Sequence, residues 1–520
     1  MRSLPVAAPR TSVAFALAIA VFGFGALAVV LGQTSSWDLR NYHLYDGWAF
    51  WTGRVDRDFA VAQAQTYFNP LLATGTYLLF THTPPRLSAF ILGCIQGLNV
   101  LPLYLLARHL LPDVLQARHR WIALLVALIG TLGVSQLSEL GASMGDNIVS
   151  VPLLTAFALI FCCPRVNATR AALAGVLAGL ATGVKLTTAP FAAGLLLTLP
   201  LLATGAGARW RLLLAGGGAA LAAFLATEGF WMLHLYRTFG DPMFPQLADF
   251  FGGEYAPPTS LRDTRFSPRN LLEWLFYPIV WTISPRRVSN AWFLDLRLPF
   301  AYAAMIILMV RNPAAPGLAR ERLLALAFAI GFALWLAVFS IYRYLAPLEM
   351  IAPLLICLAL WRIGRERATG FIAGALVLLV LLVKPPGWGR LPEYSERFLE
   401  IDMPAKPDLA RATIVFAEDE PLSFLALGLP ESANLVRIGG NLLGPPAAAY
   451  GMDREAQRRL DASNGPFYAL LADPRSQRTI ATLARQRLAL SGDCSKVRSN
   501  LLGGRHRAEL CSLQRSDVLE

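Results

Sequence analysis

The feature that most restricts this chain is a succession of long apolar runs, at 12–31, 86–107, 121–140, 147–163, 171–184, 187–205, 212–233, 292–310, 323–341, 344–361 and 368–384. Most approach the ~20 residues a helix needs to cross a hydrocarbon core. A backbone facing lipid must satisfy its own hydrogen bonds, which leaves helices as the way to use such runs. The expected fold class is therefore an all-α polytopic membrane bundle of about 11 transmembrane helices up to residue 384. The first run lacks a small-residue cleavage site and reads as a retained helix, not a signal peptide.

Charge is distributed to match. Arg108 and Arg120, Arg165 and Arg170, Arg209 and Arg211, Arg320 and Arg322, and Arg362 and Arg367 fall in alternate gaps, as selection for cytoplasmic positive charge would place them. The N-terminus is then cytoplasmic, and the region after residue 384 lies outside. The gap 234–291 also carries Arg residues yet is threaded outside, because a loop of that length approaches the limit of the charge rule. The net charge of +12 resides largely in these gaps, so it argues topology and not nucleic-acid binding. No segment has the pattern of a nucleic-acid module.

Three external stretches are chemically unusual. The first is Trp37–Arg54, WDLRNYHLYDGWAFWTGR, directly after the first span and within the external loop 32–85. Trp48, Phe50 and Trp51 suit an interfacial helix anchored by aromatics. Asp38, Arg40, His43 and Asp46 call for more than anchoring, since ionisable groups close to lipid are costly. In the second, the run 171–184 covers only about 21 Å as a helix, so Lys185 falls below the membrane surface. It reads either as a snorkelling lysine or, with a Gly before it and Thr187 and Thr188 after it, as an anion ligand in a protein cavity. The third is the loop 234–291, rich in Pro, Gly and aromatics, which reads as surface helices forming a lid or binding element.

After Lys384-Pro385-Pro386-Gly387 the composition becomes that of a soluble domain. ATIVFA, PFYALLA and RAELCSL read as strands, PLSFLALG as a helix, and PRSQRTIATLARQRLAL as an amphipathic helix. Residues 385–520 are thus expected to form a small C-terminal external α/β domain, appended to a transmembrane module over 1–384. Cys494 and Cys511 lie in it. In an oxidising compartment they are natural disulfide partners; otherwise they are two buried thiols in neighbouring elements.

Common soluble-enzyme signatures are missing: GxSxG, HExxH, the P-loop lysine motif and a dinucleotide fingerprint. The six His show no metal-ligand spacing. Cytoplasmic gaps are short, so any chemistry belongs to the outer face.

An acidic residue just after span one (Asp38), a second acidic segment (Glu139, Asp146), a helix-rich loop after span seven and Arg343-Tyr344 at a late helix mouth together resemble the glycosyltransferase C-type superfamily. WDLRNYH, QTYFNP and GLATGVKLTTAP look like segments of bacterial membrane proteins usually placed there. The resemblance covers most of the chain to residue 384. It departs from the family in lacking the adjacent Asp-Glu pair of protein mannosyltransferases and the WWDYG-type signature of oligosaccharyltransferases, so neither substrate is carried over.

The resemblance implies an inverting membrane glycosyltransferase of the bacterial inner membrane with a periplasmic C-terminal domain. It would take a polyprenyl-phosphate-linked sugar as donor and a glycan, lipid or protein as acceptor. Asp38 is then the base that takes the acceptor proton. Lys185 and Arg343, with Arg40 behind them, bind the departing phosphate. His43, Asp46, Asp146 and Tyr344 shape the acceptor or sugar site. Asp146 could also hold a divalent metal or simply start the fourth span as its N-cap. Glu139 reads as a polar residue at a helix end. The rival classes are a lipid-linked-glycan flippase, which needs a cationic cavity but no carboxylate at its mouth, and a non-catalytic envelope-assembly scaffold.

Overall fold

The computed structural model describes residues 10–112, 119–257, 261–310, 318–364, 367–443, 450–505 and 507–516. It is mostly helical, with a C-terminal sheet. Five helical segments are long and apolar enough to cross a membrane: Val13–Val30, Pro85–Leu110, Ala206–Phe239, Arg320–Val338 and Tyr342–Gly364. The shorter apolar helices include Asp146–Phe161, Ala168–Val184, Leu186–Leu202, Arg297–Val310 and Ala368–Leu381. The chain is a multi-pass membrane protein by this reading.

The described residues separate into two compact units. The first comprises Met1–Leu31, Ala89–Thr227 and Asp263–Trp388; the second comprises Gly32–Ser88, Glu228–Arg262 and Gly389–Glu520.

The first unit is a helical bundle with one large apolar core, running from Phe24 through Phe157, Trp281 and Trp335 to Leu379. Close packing depends on small residues. A Cβ at Gly175 would collide with the carbonyl of Gly216, and one at Gly179 with that of Ala220. This Gly-xxx-Gly stripe lets the helix Ala168–Val184 lie directly against the helix Ala206–Phe239, as small residues do between membrane helices.

The expected span 121–140 is divided. One helix ends at Gly130 and a six-residue helix, Val134–Glu139, follows the break at Thr131-Leu132-Gly133. The break is held from inside the unit. Arg297, fully buried, donates to the carbonyls of Ile129 and Leu132 and pairs with Asp295 at 2.8 Å. Asp295 accepts from the Val134 N–H, and Glu349 accepts from the Ser135 N–H. Two buried carboxylates thus take the first N–H groups of a helix that would otherwise leave them orphaned.

The second unit is built on a sheet. A short antiparallel pair joins β1 (Gln33–Thr34) to β2 (Arg390–Leu391). The main sheet has six strands: β3 (Ile401–Asp402), β4 (Thr413–Phe416), β5 (Asn434–Arg437), β6 (Phe467–Leu471), β7 (Leu488–Ser499) and β8 (Ala508–Arg515), in the order β3-β7-β8-β6-β4-β5. β4 runs parallel to β5 and β6, whereas β6, β8, β7 and β3 pair antiparallel. Central β4 and β6 are buried throughout, as strands covered on both faces must be.

The sequence reading placed β4, β6 and β8 and missed β3, β5 and β7. The tail of PRSQRTIATLARQRLAL is not helical: the helix stops at Arg485 and Leu488 opens β7. PLSFLALG forms only a 3-10 turn, Ser423–Gly428. A Cys494–Cys511 disulfide joins β7 to β8 at directly opposed positions.

The free edge of β5 is closed by a segment from far earlier in the chain. Phe59 N–H donates to the Leu435 carbonyl, and Arg437 N–H donates to the Phe59 carbonyl. Side chains reinforce the join. Arg54 donates to the carbonyls of Glu431 and Ala433, and Arg57 to those of Glu431 and Ser432. The loop after the first helix is therefore part of this sheet unit, and the sheet edge is covered instead of being open to pairing.

Candidate active site

In the first unit four polar residues meet where apolar helices start or break. Gly145 has φ of 85°, a left-handed conformation suited to glycine, and turns the chain into the helix Asp146–Phe161. Asp146 is the first helical residue. Its side chain makes no capping bond and instead turns aside, leaving Gly145 as the cap. The loop behind it is fixed by buried amides. Gln96 donates to the carbonyls of Glu139 and Ala142 and accepts from Gly141 N–H, while Asn99 donates to the carbonyl of Asn147.

Lys185 is the extended residue between the helix Ala168–Val184 and a 3-10 turn, Leu186–Thr188, with a new helix from Ala189. Its Nζ lies 2.7 Å from Asp146 Oδ2 and 2.5 Å from the Met144 carbonyl. Thr187 donates to Asp146 Oδ1 at 3.2 Å, so both oxygens of that carboxylate are engaged. Arg343 sits on another 3-10 turn, Tyr342–Leu345, just before the helix Ala346–Gly364. Its Nε is 3.5 Å from Asp146 Oδ2 and 3.9 Å from Glu139 Oε1.

The ring of Tyr344 takes both cations on its face. Lys185 Nζ is 5.8 Å and the Arg343 guanidinium 5.2 Å from its centroid, within cation–π range. Glu139 is fully buried, and the side chains of Lys185 and Arg343 each retain 16% exposure. The cluster is thus two buried acidic side chains beside two partly accessible cations. An ammonium has three donors, and two are used here, by Asp146 and Met144. The arrangement suits a site that receives an anion: fixed cations, each steadied by a buried carboxylate, beside an aromatic face.

Of the residues singled out from sequence, Asp146, Lys185, Arg343 and Tyr344 come together here. Glu139, read as a polar helix end, belongs to the same cluster. Thr187, read from sequence alongside Lys185, joins them, as does Met144, which sequence reasoning missed. The signal lay in the density of polar residues in SQLSELGASMGDN between two apolar runs.

The remaining candidates lie in the second unit, on one helix that runs from Trp37 to Trp51. Its first part, Leu39–His43, is a π-helical segment, a rare geometry that recurs at functional sites. Asp38 precedes it and is half-buried. Arg40 is 5% exposed, and its burial lowers its proton affinity against the opposing pull of Glu420. His43 is buried edge-on to Tyr42. Asp46 is buried with Oδ1 lacking a hydrogen-bond partner among the described residues, and burial raises its pKa well above the ordinary carboxyl value.

Further along, Arg54 pairs with Asp58 at 2.7 Å, and Tyr45 donates to Asp58 at 2.9 Å. Burial raises the Asp58 pKa despite Arg54. Arg437, fully buried, donates to the carbonyls of Val61 and Glu418 and to Ser423 Oγ, and burial pulls its pKa down to about 9. Neither Arg54 nor Arg437 stood out in the sequence, because each donates to backbone carbonyls that only folding brings near.

Comparison with known proteins gives little at the level of sequence. No family model matches the chain, and no curated protein does. Among solved structures the fold is similar to that of ArnT from Cupriavidus metallidurans bound to undecaprenyl phosphate, with 13% identity, a TM-score of 0.45, and coverage of 97% of this chain and 98% of that one.

Proposed function

We propose that the chain is an inverting membrane glycosyltransferase that moves a sugar from a polyprenyl-phosphate donor to an acceptor hydroxyl on the periplasmic face of the bacterial inner membrane. The observation that supports this best is the pairing of Lys185 and Arg343 over Asp146 and Glu139 at breaks in apolar helices. Ionisable groups among apolar membrane helices are costly and mark functional sites by default, and a lipid-linked phosphate is an anion that a membrane enzyme can draw from the bilayer.

In this reading the acceptor oxygen attacks the anomeric carbon and loses its proton to Asp38. The bond from that carbon to the phosphate oxygen breaks, and the polyprenyl phosphate leaves with the electron pair. Lys185 and Arg343 stabilise the charge that develops there, with Arg40 as a further cation. Asp146 orients the two cations instead of holding a metal. Tyr344, His43 and Asp46 border the sugar and acceptor.

Transfer from a polyprenyl-phosphate sugar by purified full-length protein tests the reading. Asp38→Asn is expected to lower turnover about 100-fold or more, the range for a general base, while donor binding holds. Wild-type turnover in Asp38→Asn would remove that residue from the mechanism.

A further inference from the structure

The second unit contains a groove of about 500 Å³ that the transfer reading does not use. Its lining combines the aromatic residues Trp48, Tyr77, Phe80 and Phe398 with His82, Glu396 and Arg397. Phe80 and Phe398 are buried and stacked with their rings 3.8 Å apart and nearly parallel, so this part of the wall is rigid. Trp48 is held from behind by the Arg54 guanidinium, 4.9 Å from its ring.

The polar lining is equally fixed, but its charged ends are not engaged. Asn500 Nδ2 donates to the carbonyls of Arg397 and Phe398, Gln33 donates to the Phe398 carbonyl, and Asn500 Oδ1 accepts from Glu400 N–H. The backbone of 397–400 is thereby set in place. Yet the carboxylate of Glu396 and the guanidinium of Arg397, both exposed, form no ion pair among the described residues. His82 commits Nδ1 to Thr81 and the Leu78 carbonyl, which leaves Nε2 as its outward group.

We infer that this groove is a saccharide-binding site, taking one or two sugar rings. Sugars present an apolar C–H face and a rim of hydroxyls that both donate and accept. Trp48 and Tyr77, backed by the Phe80–Phe398 stack and lining the same groove as a carboxylate, a guanidinium and an imidazole, answer both demands. An acyl chain would gain nothing from the charged residues. A diphosphate or nucleotide would meet Glu396 with like charge, which disfavours it. A volume of this size matches small-ligand pockets lined by aromatics with a few placed polar groups. The inference does not depend on the transfer reaction, because binding alone is at issue.

The test is saturation-transfer NMR on full-length protein in nanodiscs, with cellobiose, chitobiose, a galacturonate disaccharide and inorganic diphosphate as separate probes. At least one disaccharide is expected to bind saturably. Arg397→Ala and Glu396→Gln, both on exposed side chains and checked by unchanged melting, should each weaken that binding at least tenfold. Failure of all three disaccharides to saturate the wild type overturns the inference. So does binding that is indifferent to both variants, and so does saturation by diphosphate alone.

Discussion

The two units handle buried charge in opposite ways. In the first, Lys185 and Arg343 stand over Asp146 and Glu139 at helix breaks, with the carboxylates sealed in and the cations partly open. In the second, Arg54 and Arg437 are almost wholly buried; Arg437 gives most of its donors to backbone carbonyls, and Arg54 divides its donors between Asp58 and the carbonyls of Glu431 and Ala433. A guanidinium spent on carbonyls fixes chain against chain. A cation facing a carboxylate that a stronger anion can replace is poised for a ligand. The same residue types thus serve recognition in one place and construction in the other.

That contrast can be broken by substitution. Arg54→Ala would leave Asp58 buried with only Tyr45 as partner and free the carbonyls of Glu431 and Ala433. Removing one member of a buried pair costs about 3–5 kcal/mol, so a large drop in the melting temperature of the full-length protein is expected. If Arg54→Ala melts like the wild type, the constructional role is wrong.

Breaking the cross-strand disulfide with Cys494→Ser should be next in size. The cysteines are 17 residues apart, and closing a loop of that length contributes about 3 kcal/mol. Destabilisation should appear in non-reducing buffer and vanish when both proteins are compared reduced. An equal difference in both buffers would assign the effect to packing.

The smallest effect sharpens the comparison with a buried carboxyl group that has no ion pair among the described residues. Asp46 is buried with its pKa raised by that burial. Its folded form holds the proton more tightly than the unfolded chain does. Its contribution to stability is therefore fully present below the ordinary carboxyl pKa of about 3.9 and is lost as pH rises through the raised folded value. Asp46→Asn should melt higher than wild type at neutral pH, with the gain shrinking as pH falls toward 4. A gain independent of pH would show that titration is not its cause.

Much of the bundle was legible because hydrophobic length needs no partner to be read. Lys185 was legible for the same reason: a charge between two apolar runs has to be accounted for. Glu139 was not, since its role depends on Arg343, some two hundred positions later, arriving on a turn beside it. β5 and β7 were missed for a related reason. NLVR is too short to show a period, and LALSGDCSKVRS alternates poorly because a register shift between Leu490 and Cys494 interrupts its pairing with β8. Arg437 is the extreme case, an arginine whose partners are mostly carbonyls and so leave no trace in sequence.

The central claim is that Lys185 and Arg343 receive a lipid phosphate. The most direct measurement is a cryo-EM structure of the full chain in nanodiscs with added polyprenyl phosphate. The account predicts phosphate oxygens at about 3 Å from Lys185 Nζ and from the Arg343 guanidinium, with the Lys185–Asp146 contact lengthened. Phosphate density elsewhere, with that ion pair still closed at 2.7 Å, would contradict it.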